Sequence, residues 1–293
     1  MTGGERAYLL LTCKLGDPRR RVLTHAQVQA LAAGTKRYIP KDFARDMGMT
    51  DLEAMGCSPE LSKHILTLLE DTQVLENYCA RAQRYGCVPV TRRDPSYPQR
   101  VAECLGEEAP ACLWAKGDLS LLNGEMVALV GSRALKPRNQ RFAEEVGRQA
   151  ARQGYTLVSG NARGADSAAQ EACLAAGGKV ISVVADSLAR KRERKGLLYL
   201  SEEGFDQSFS ALRALSRNRV IHAMGKLTFV AQCAREHGGT WSGTVKNLRS
   251  GWSRVLVFED GSEAVQSLIA MGAERTAEEK LANLRELTNI IDQ

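Results

Sequence analysis

The sequence has no run of about 18 consecutive apolar residues, so it offers no candidate transmembrane helix. The apolar stretch near its start, within MTGGERAYLLLTCKLGDP, is too short for the core of a secretory signal, which predicts a cytoplasmic protein. None of the eight cysteines (13, 57, 79, 87, 104, 112, 173 and 233) lies two to four residues from another, and the four histidines are scattered. Zinc-finger and zinc-ribbon spacing is therefore absent, and neither a metal nor a cofactor is predicted. In a cytoplasmic setting the thiols are expected to be reduced and buried as small apolar side chains. The dinucleotide fingerprint G-x-G-x-x-G, the P-loop ending Gly-Lys-Ser/Thr and the nucleophile elbow G-x-S-x-G are all missing, so no catalytic residue is assigned. Aromatic residues make up only 5% of the chain. The basic stretches carry no apolar face with aromatic anchors, which argues against a membrane-surface role.

What is present is an average globular composition, 44% apolar and 25% charged, which excludes a disordered, collagen-like or fibrous chain. At 293 residues the chain is long enough for two domains or one large one. Forty basic against 34 acidic residues leave a net charge of +6, which permits an anionic partner without demanding one. The charge is unevenly spread. Between Arg133 and Arg163 seven basic residues stand against Glu144 and Glu145, and the run Arg190-Lys191-Arg192-Glu193-Arg194-Lys195 follows soon after.

Up to about residue 115, apolar positions recur at helical spacing in short blocks. Helices are predicted over 24–33, capped by Thr24 and stopped by Gly34, over 40–47, and over 50–55, opened by Thr50 with Glu53 three positions on. One bent helix or two are predicted over 58–85, with Pro59 at the first helical position. The segment 52–60 reads as helix, tight turn, helix, which suits plain packing or a contact with a nucleic-acid backbone. Residues 1–115 are thus expected to form a small helical domain of SAM or helix-hairpin-helix type, with a short strand at 87–90 and a helix near 99–105 leading to its end. From 116 to 293 apolar strands alternate with amphipathic helices: strands at 126–130, 156–158, 179–185, 197–200, 227–230 and 255–258, and helices at 164–176, 208–222, 263–271 and 274–291. A further helix places Phe142, Val146 and Ala150 on one face. This pattern predicts an α/β, extended Rossmann-like domain, a mostly parallel sheet covered by helices on both faces. Such sheets bind ligands at the carboxyl ends of their strands.

Three loops at strand ends suit anions. Gly131, Ser132 and Arg133 follow the first strand and supply a tight turn, a hydroxyl and a planar cation. Ser159, Gly160, Asn161, Arg163, Gly164 and Asp166 lie between a strand and a helix, where glycine-exposed amides and the helix N-terminus favour a phosphate. Asp166 is equally explained as a cap in the first helical turn. Arg217, Asn218 and Arg219 precede the strand at 227–230 and suit phosphates and a base edge.

Together, Val127–Arg133, Val158–Ala169, Ala176-Gly177-Gly178 and Arg217–Ile221 resemble the DNA-processing protein A (DprA/Smf) family. Tyr97-Pro98 and Trp114–Gly117 sit where that family has its Tyr-Pro and apolar-x-Gly signatures, so the resemblance spans about residues 50–275. It implies a non-enzymatic, usually dimeric protein of extended Rossmann fold. Such a protein protects single-stranded DNA and assists loading of a RecA-type recombinase during DNA uptake and recombination. On matching positions Arg133, Ser159, Gly160, Arg163, Gly164 and Arg219 would contact phosphates, with Asn218 in the same pocket. A groove of arginines and exposed amides tracks a polyanion without reading sequence. Lys191 and Arg192, and Gly239 and Thr240, are further candidates, and Trp241 and Phe205 are the nearby aromatics for base stacking. The chain departs from the family over 232–261, at Gln232, at Gly238–Thr244 and at Phe258–Gly261.

Two other readings use the same loops. Gly238-Gly239-Thr240 with Gly243-Thr244 resembles the phosphate loop of LOG-type nucleoside monophosphate phosphoribohydrolases. The acid/base glutamate expected after that loop is replaced by Val245, Lys246 and Asn247, which leaves Asp166 or Glu236 to carry the proton. The other reading is a nucleotide-binding sensor, for instance in phage defence, in which a mononucleotide would not use the basic run at 190–195.

Overall fold

The computed structural model describes residues 1–38 and 47–289. Among the described residues five helices come first: α1 (Gly3–Thr12), α2 (His25–Arg37), α3 (Met49–Ala54), α4 (Pro59–Glu70) and α5 (Thr72–Arg84). Then follow β1 (Cys87–Thr91), α6 (Gln99–Leu105), β2 (Cys112–Gly117), β3 (Met126–Val130), α7 (Pro137–Arg152), β4 (Thr156–Ser159), α8 (Ala165–Ala175), β5 (Lys179–Val183) and β6 (Leu197–Ser201). The chain continues through α9 (Ala211–Ser216), α10 (Asn218–Met224), β7 (Leu227–Val230), α11 (Gly238–Ser250), β8 (Arg254–Phe258), α12 (Glu263–Ala270), β9 (Glu274–Thr276) and α13 (Leu284–Asn289).

The nine strands of the described residues form one sheet in the order β1-β2-β6-β5-β4-β3-β7-β8-β9. The seven from β6 to β9 run parallel, and β2 joins the edge of β6 antiparallel, with Trp114 opposite Ser201. Alternation along β3 divides the core. Val127 and Leu129 pack with Phe142, Val146 and Ala150 of α7, while Ala128 and Val130 pack with Val220 and Met224 of α10. The mostly parallel sheet covered on both faces is as the sequence pattern indicates.

The N-terminal helices divide between two cores. Leu11, Leu52, Met55, Ile65 and Leu68 form a cluster of their own. Leu9 and Leu10 of α1, with Leu75 and Tyr78 of α5, instead join the sheet's core. Tyr78 meets Trp114 of β2 edge-on at 5.1 Å and Phe205 at 4.8 Å. The expected boundary between 115 and 116 falls inside β2, and β1 lies beyond it as the sheet's edge strand.

Local signals held in part. Pro59 takes the first position of α4, as predicted, and Ser58 caps the helix. Gly34 does not stop α2, which runs on to Arg37; it is instead a close approach, since a Cβ there would lie 2.6 Å from the Met55 carbonyl oxygen. The cap of α3 is Gly48, whose N–H donates to the Asp51 carboxylate at 2.8 Å, in place of Thr50 and Glu53. The segment expected as one helix over 274–291 opens with strand β9, then a 3-10 turn, Glu278–Asn283, before α13. The helix expected over 40–47 lies outside the described residues, apart from Met47.

Candidate functional site

The chain steps from β3 to β4, β5 and β6 on one side, then returns to β7 on the other side of β3. Loops leaving β3 and β7 therefore diverge and open a crevice at the carboxyl ends of the strands. Its volume is about 490 Å³, within the range of small-ligand sites. Gly131–Arg133 line it after β3, Ala162 and Asp166 after β4, Arg217 and Asn218 at the start of α10, and His237–Thr240 at the start of α11.

Hydrogen bonds brace these loops against one another. The Ser132 N–H donates to the Gln232 carbonyl at 2.8 Å, and the Gln232 side chain accepts from the Lys136 N–H at 2.9 Å and donates to the Ala134 carbonyl at 3.0 Å. The Thr240 hydroxyl donates to the Gly131 carbonyl at 3.0 Å. Gln232 and Thr240, within the stretch that departs from the expected family pattern, thus hold the mouth of the crevice. The β4 loop packs directly on the β3 loop. Gly164 has φ +90°, and a Cβ there would lie 2.4 Å from the Ser132 carbonyl oxygen, so a side chain is excluded. Asp166 closes this loop, its carboxylate accepting from the Gly160 N–H at 3.1 Å and the Ala162 N–H at 3.2 Å. Asn161 takes the left-handed conformation that asparagine tolerates, φ +56°.

Arg217 is buried at the floor of the crevice. Its guanidinium lies on Gly160, where an added Cβ would sit 1.5 Å from Nη1. Its Nε and Nη1 have no hydrogen-bond partner among the described residues. Burial pulls the Arg217 pKa down against the opposing pull of Asp166. Burial likewise pushes the Asp166 pKa up, against Arg217, the two amides and Arg133. The pair leaves the floor short of acceptors.

The remaining expected residues fall in several places. Arg133 is exposed at the rim and also lines a shallower groove with Arg148 and Arg163 between α7 and α8. Asn218 donates to the Gly239 carbonyl at 3.0 Å and pins α10 to α11. Ser159 is fully buried and accepts from Gln170, which also accepts from Ser182, so its hydroxyl does not reach the crevice. Arg219, expected beside Asn218 among the phosphate contacts, turns to the other side of α10. There it pairs with Glu202 at 2.6 Å and donates to the Glu108 and Ser216 carbonyls. Lys191 pairs with Asp186 at 2.8 Å and Arg192 is exposed; neither lines the crevice.

The aromatic candidates are corrected. Phe205 is fully buried in the cluster with Tyr78 and Trp114, and Trp241 is buried against the opposite face of the sheet. Neither can stack a base. Phe209 is the accessible ring, 58% exposed, two residues before Ala211 of the crevice wall. The signal for it was in the sequence: Phe209, Leu212 and Leu215 recur every three residues, an apolar stripe that the structure leaves exposed.

The crevice can hold an anion, and among the described residues Asp166, His237 and Cys233 are the titratable side chains that line it besides the arginines. Among the described residues Asp166 is the only carboxylate lining it, and its Oδ2 is already engaged by two amides. Glu236 is exposed and lies 3.5 Å from Arg235. Among the described residues there is no group of three or more His, Cys, Asp or Glu placed to hold a metal ion, and no helix long and apolar enough to cross a membrane.

The family model described as DNA recombination-mediator protein A matches residues 89–288. The DNA processing protein DprA of Streptococcus pneumoniae is 34% identical over 155 residues, which cover 50% of this chain and 54% of that protein. In sequence the chain thus spans about half the length of the curated relative it matches. The crystal structure of the Streptococcus pneumoniae DprA superposes with a TM-score of 0.72 at 25% identity, over 97% of this chain and 98% of that one. DNA processing protein A from Helicobacter pylori, described for its single-stranded DNA binding mode, superposes with a TM-score of 0.59 at 22% identity, over 70% of this chain and 96% of that one.

Proposed function

The chain belongs to the DNA recombination-mediator protein A (DprA/Smf) family, and on that premise we propose that it binds single-stranded DNA in the crevice between β3 and β7, without catalysing a reaction. The observation that carries this is the buried, acceptor-poor Arg217 beneath the exposed Arg133, flanked by the uncapped start of α11. Cations and exposed amides in a cleft attract phosphates regardless of base sequence. The crevice has room for about one nucleotide at its floor and excludes a duplex. Phe209 offers the ring on which a neighbouring base stacks. Loading of a RecA-type recombinase and a homodimeric state accompany this reading as the family's mode of action.

The test is anisotropy of a labelled oligo(dT) titrated with protein across a salt series and against duplex competitor. Binding is expected to resist duplex competitor, with log affinity falling by about 0.7 per phosphate neutralised for each tenfold rise in salt. Absence of binding at low salt would overturn the reading. The enclosure of the crevice favours one alternative, a site for a free mononucleotide. The basic run separates the two: reversing Arg190 and Arg192, both exposed, should weaken a long oligomer more than a dinucleotide. Equal loss for both would exclude a track along that run.

A further inference from the structure

The floor of the crevice holds a group that an uninterrupted strand does not explain. Arg217 is only 6% exposed, yet its Nε and Nη1 are without partners among the described residues. Asp166, the carboxylate that acts on it most strongly, already accepts the Gly160 and Ala162 amides through Oδ2. A guanidinium taken out of water without acceptors is costly, and an anion entering the crevice would supply them. The start of α11 adds to the attraction. This helix has 13 residues, opens on Gly238-Gly239, and has no side-chain cap for its first amides.

Resting on the single-strand reading, we propose that this floor takes a terminal phosphomonoester, so that the protein prefers a phosphorylated strand end to the strand interior. Depth is the first reason. An interior phosphodiester reaching Arg217 must draw two sugars into the crevice, whereas a terminal phosphate draws one. Charge is the second. A phosphomonoester carries about −1.5 to −2 at neutral pH, and a diester only about −1. Arg217, Arg133 and the α11 dipole all reward the difference.

The experiment compares three labelled oligo(dT) strands: 5′-phosphorylated, 3′-phosphorylated and unphosphorylated. One phosphorylated strand is expected to bind about tenfold tighter than the unphosphorylated one, and which one does so identifies the end that is read. Two variants locate the effect. Arg217→Met removes the charge, whereas Gly160→Ala keeps it and displaces the guanidinium, because the new Cβ would sit 1.5 Å from Nη1. Each is expected to shrink the preference below about twofold, and the second serves if the first does not fold. Equal affinity of the wild-type protein for all three strands overturns the proposal, as does a preference that survives in both variants. If no strand binds while dTMP raises the melting temperature of the wild-type protein and not of the variants, the single-strand reading falls and the phosphate site stands. If neither strands nor dTMP bind, both fall.

Discussion

His222 is fully buried, with its Nδ1 3.2 Å from the Thr228 hydroxyl and from the Asn247 amide nitrogen and its Nε2 unpartnered among the described residues. Burial drives its pKa down to about 3. In the unfolded chain an imidazole titrates near pH 6.5, so the unfolded state takes up the proton first as pH falls. The stabilisation from neutral His222 is complete above about pH 6.5 and is lost as pH falls towards 3. The slope is about 1.4 kcal/mol per pH unit, or about 2 kcal/mol between pH 7 and pH 5. Urea unfolding at the two pH values should show this loss in the wild type and a smaller one in His222→Gln; equal losses would mean the imidazole is hydrated. Two arginines divide binding from stability. Arg133→Ala should weaken oligo(dT) binding about fivefold with an unchanged melting temperature. Arg219→Ala should cost roughly 3 kcal/mol of stability, since it strands the largely buried Glu202. The reverse pattern would contradict the orientations described. The Arg217-Asn218-Arg219 triplet was legible as a cluster of anion-binding types. Its division was not, because successive residues at the start of α10 turn about 100° apart and reach different surfaces.

Strands and helices with one dominant pattern were read almost to the residue. β3 and β7 are continuous apolar runs bounded by polar loops, and the Phe142, Val146 and Ala150 face of α7 is fully buried as its spacing implies. Failures came where tertiary contact outweighed local preference. Glu274-Arg275-Thr276 has helix-compatible residues yet pairs in parallel with β8, gaining a ladder that no local pattern announces. The loop between β4 and α8 is where backbone geometry is most demanding. Gly164→Ala would combine a left-handed φ with a clash against the β3 loop. A loss of about 2–3 kcal/mol is expected by denaturant unfolding, together with weakened oligo(dT) binding; a neutral result would mean that the loop can rearrange. Phe209→Ala, by contrast, touches only the exposed stripe before α9. It should lower strand affinity about tenfold through lost stacking and leave stability unchanged.

The change of character near residue 115 was visible in the sequence, but its structural meaning was not. Helical periodicity before that point and alternation after it suggested two units. Yet α1 and α5 share the sheet's core, and β2 carries pairing across the divide. A protein comprising only residues 116–293 should therefore expose the edge of β6 together with Phe205, and aggregate. A cooperative melt from that fragment would mean that the C-terminal part folds alone. The antiparallel joint between β2 and β6 also sets an order of events during synthesis. β2 leaves the ribosome about eighty residues ahead of its partner. At about 5–20 residues per second it waits roughly 4–16 s for β6, held by the hairpin with β1 and by α1, α5 and α6. Closure of that edge must follow synthesis of β6, so until then β2 presents an unpaired strand edge on the nascent chain.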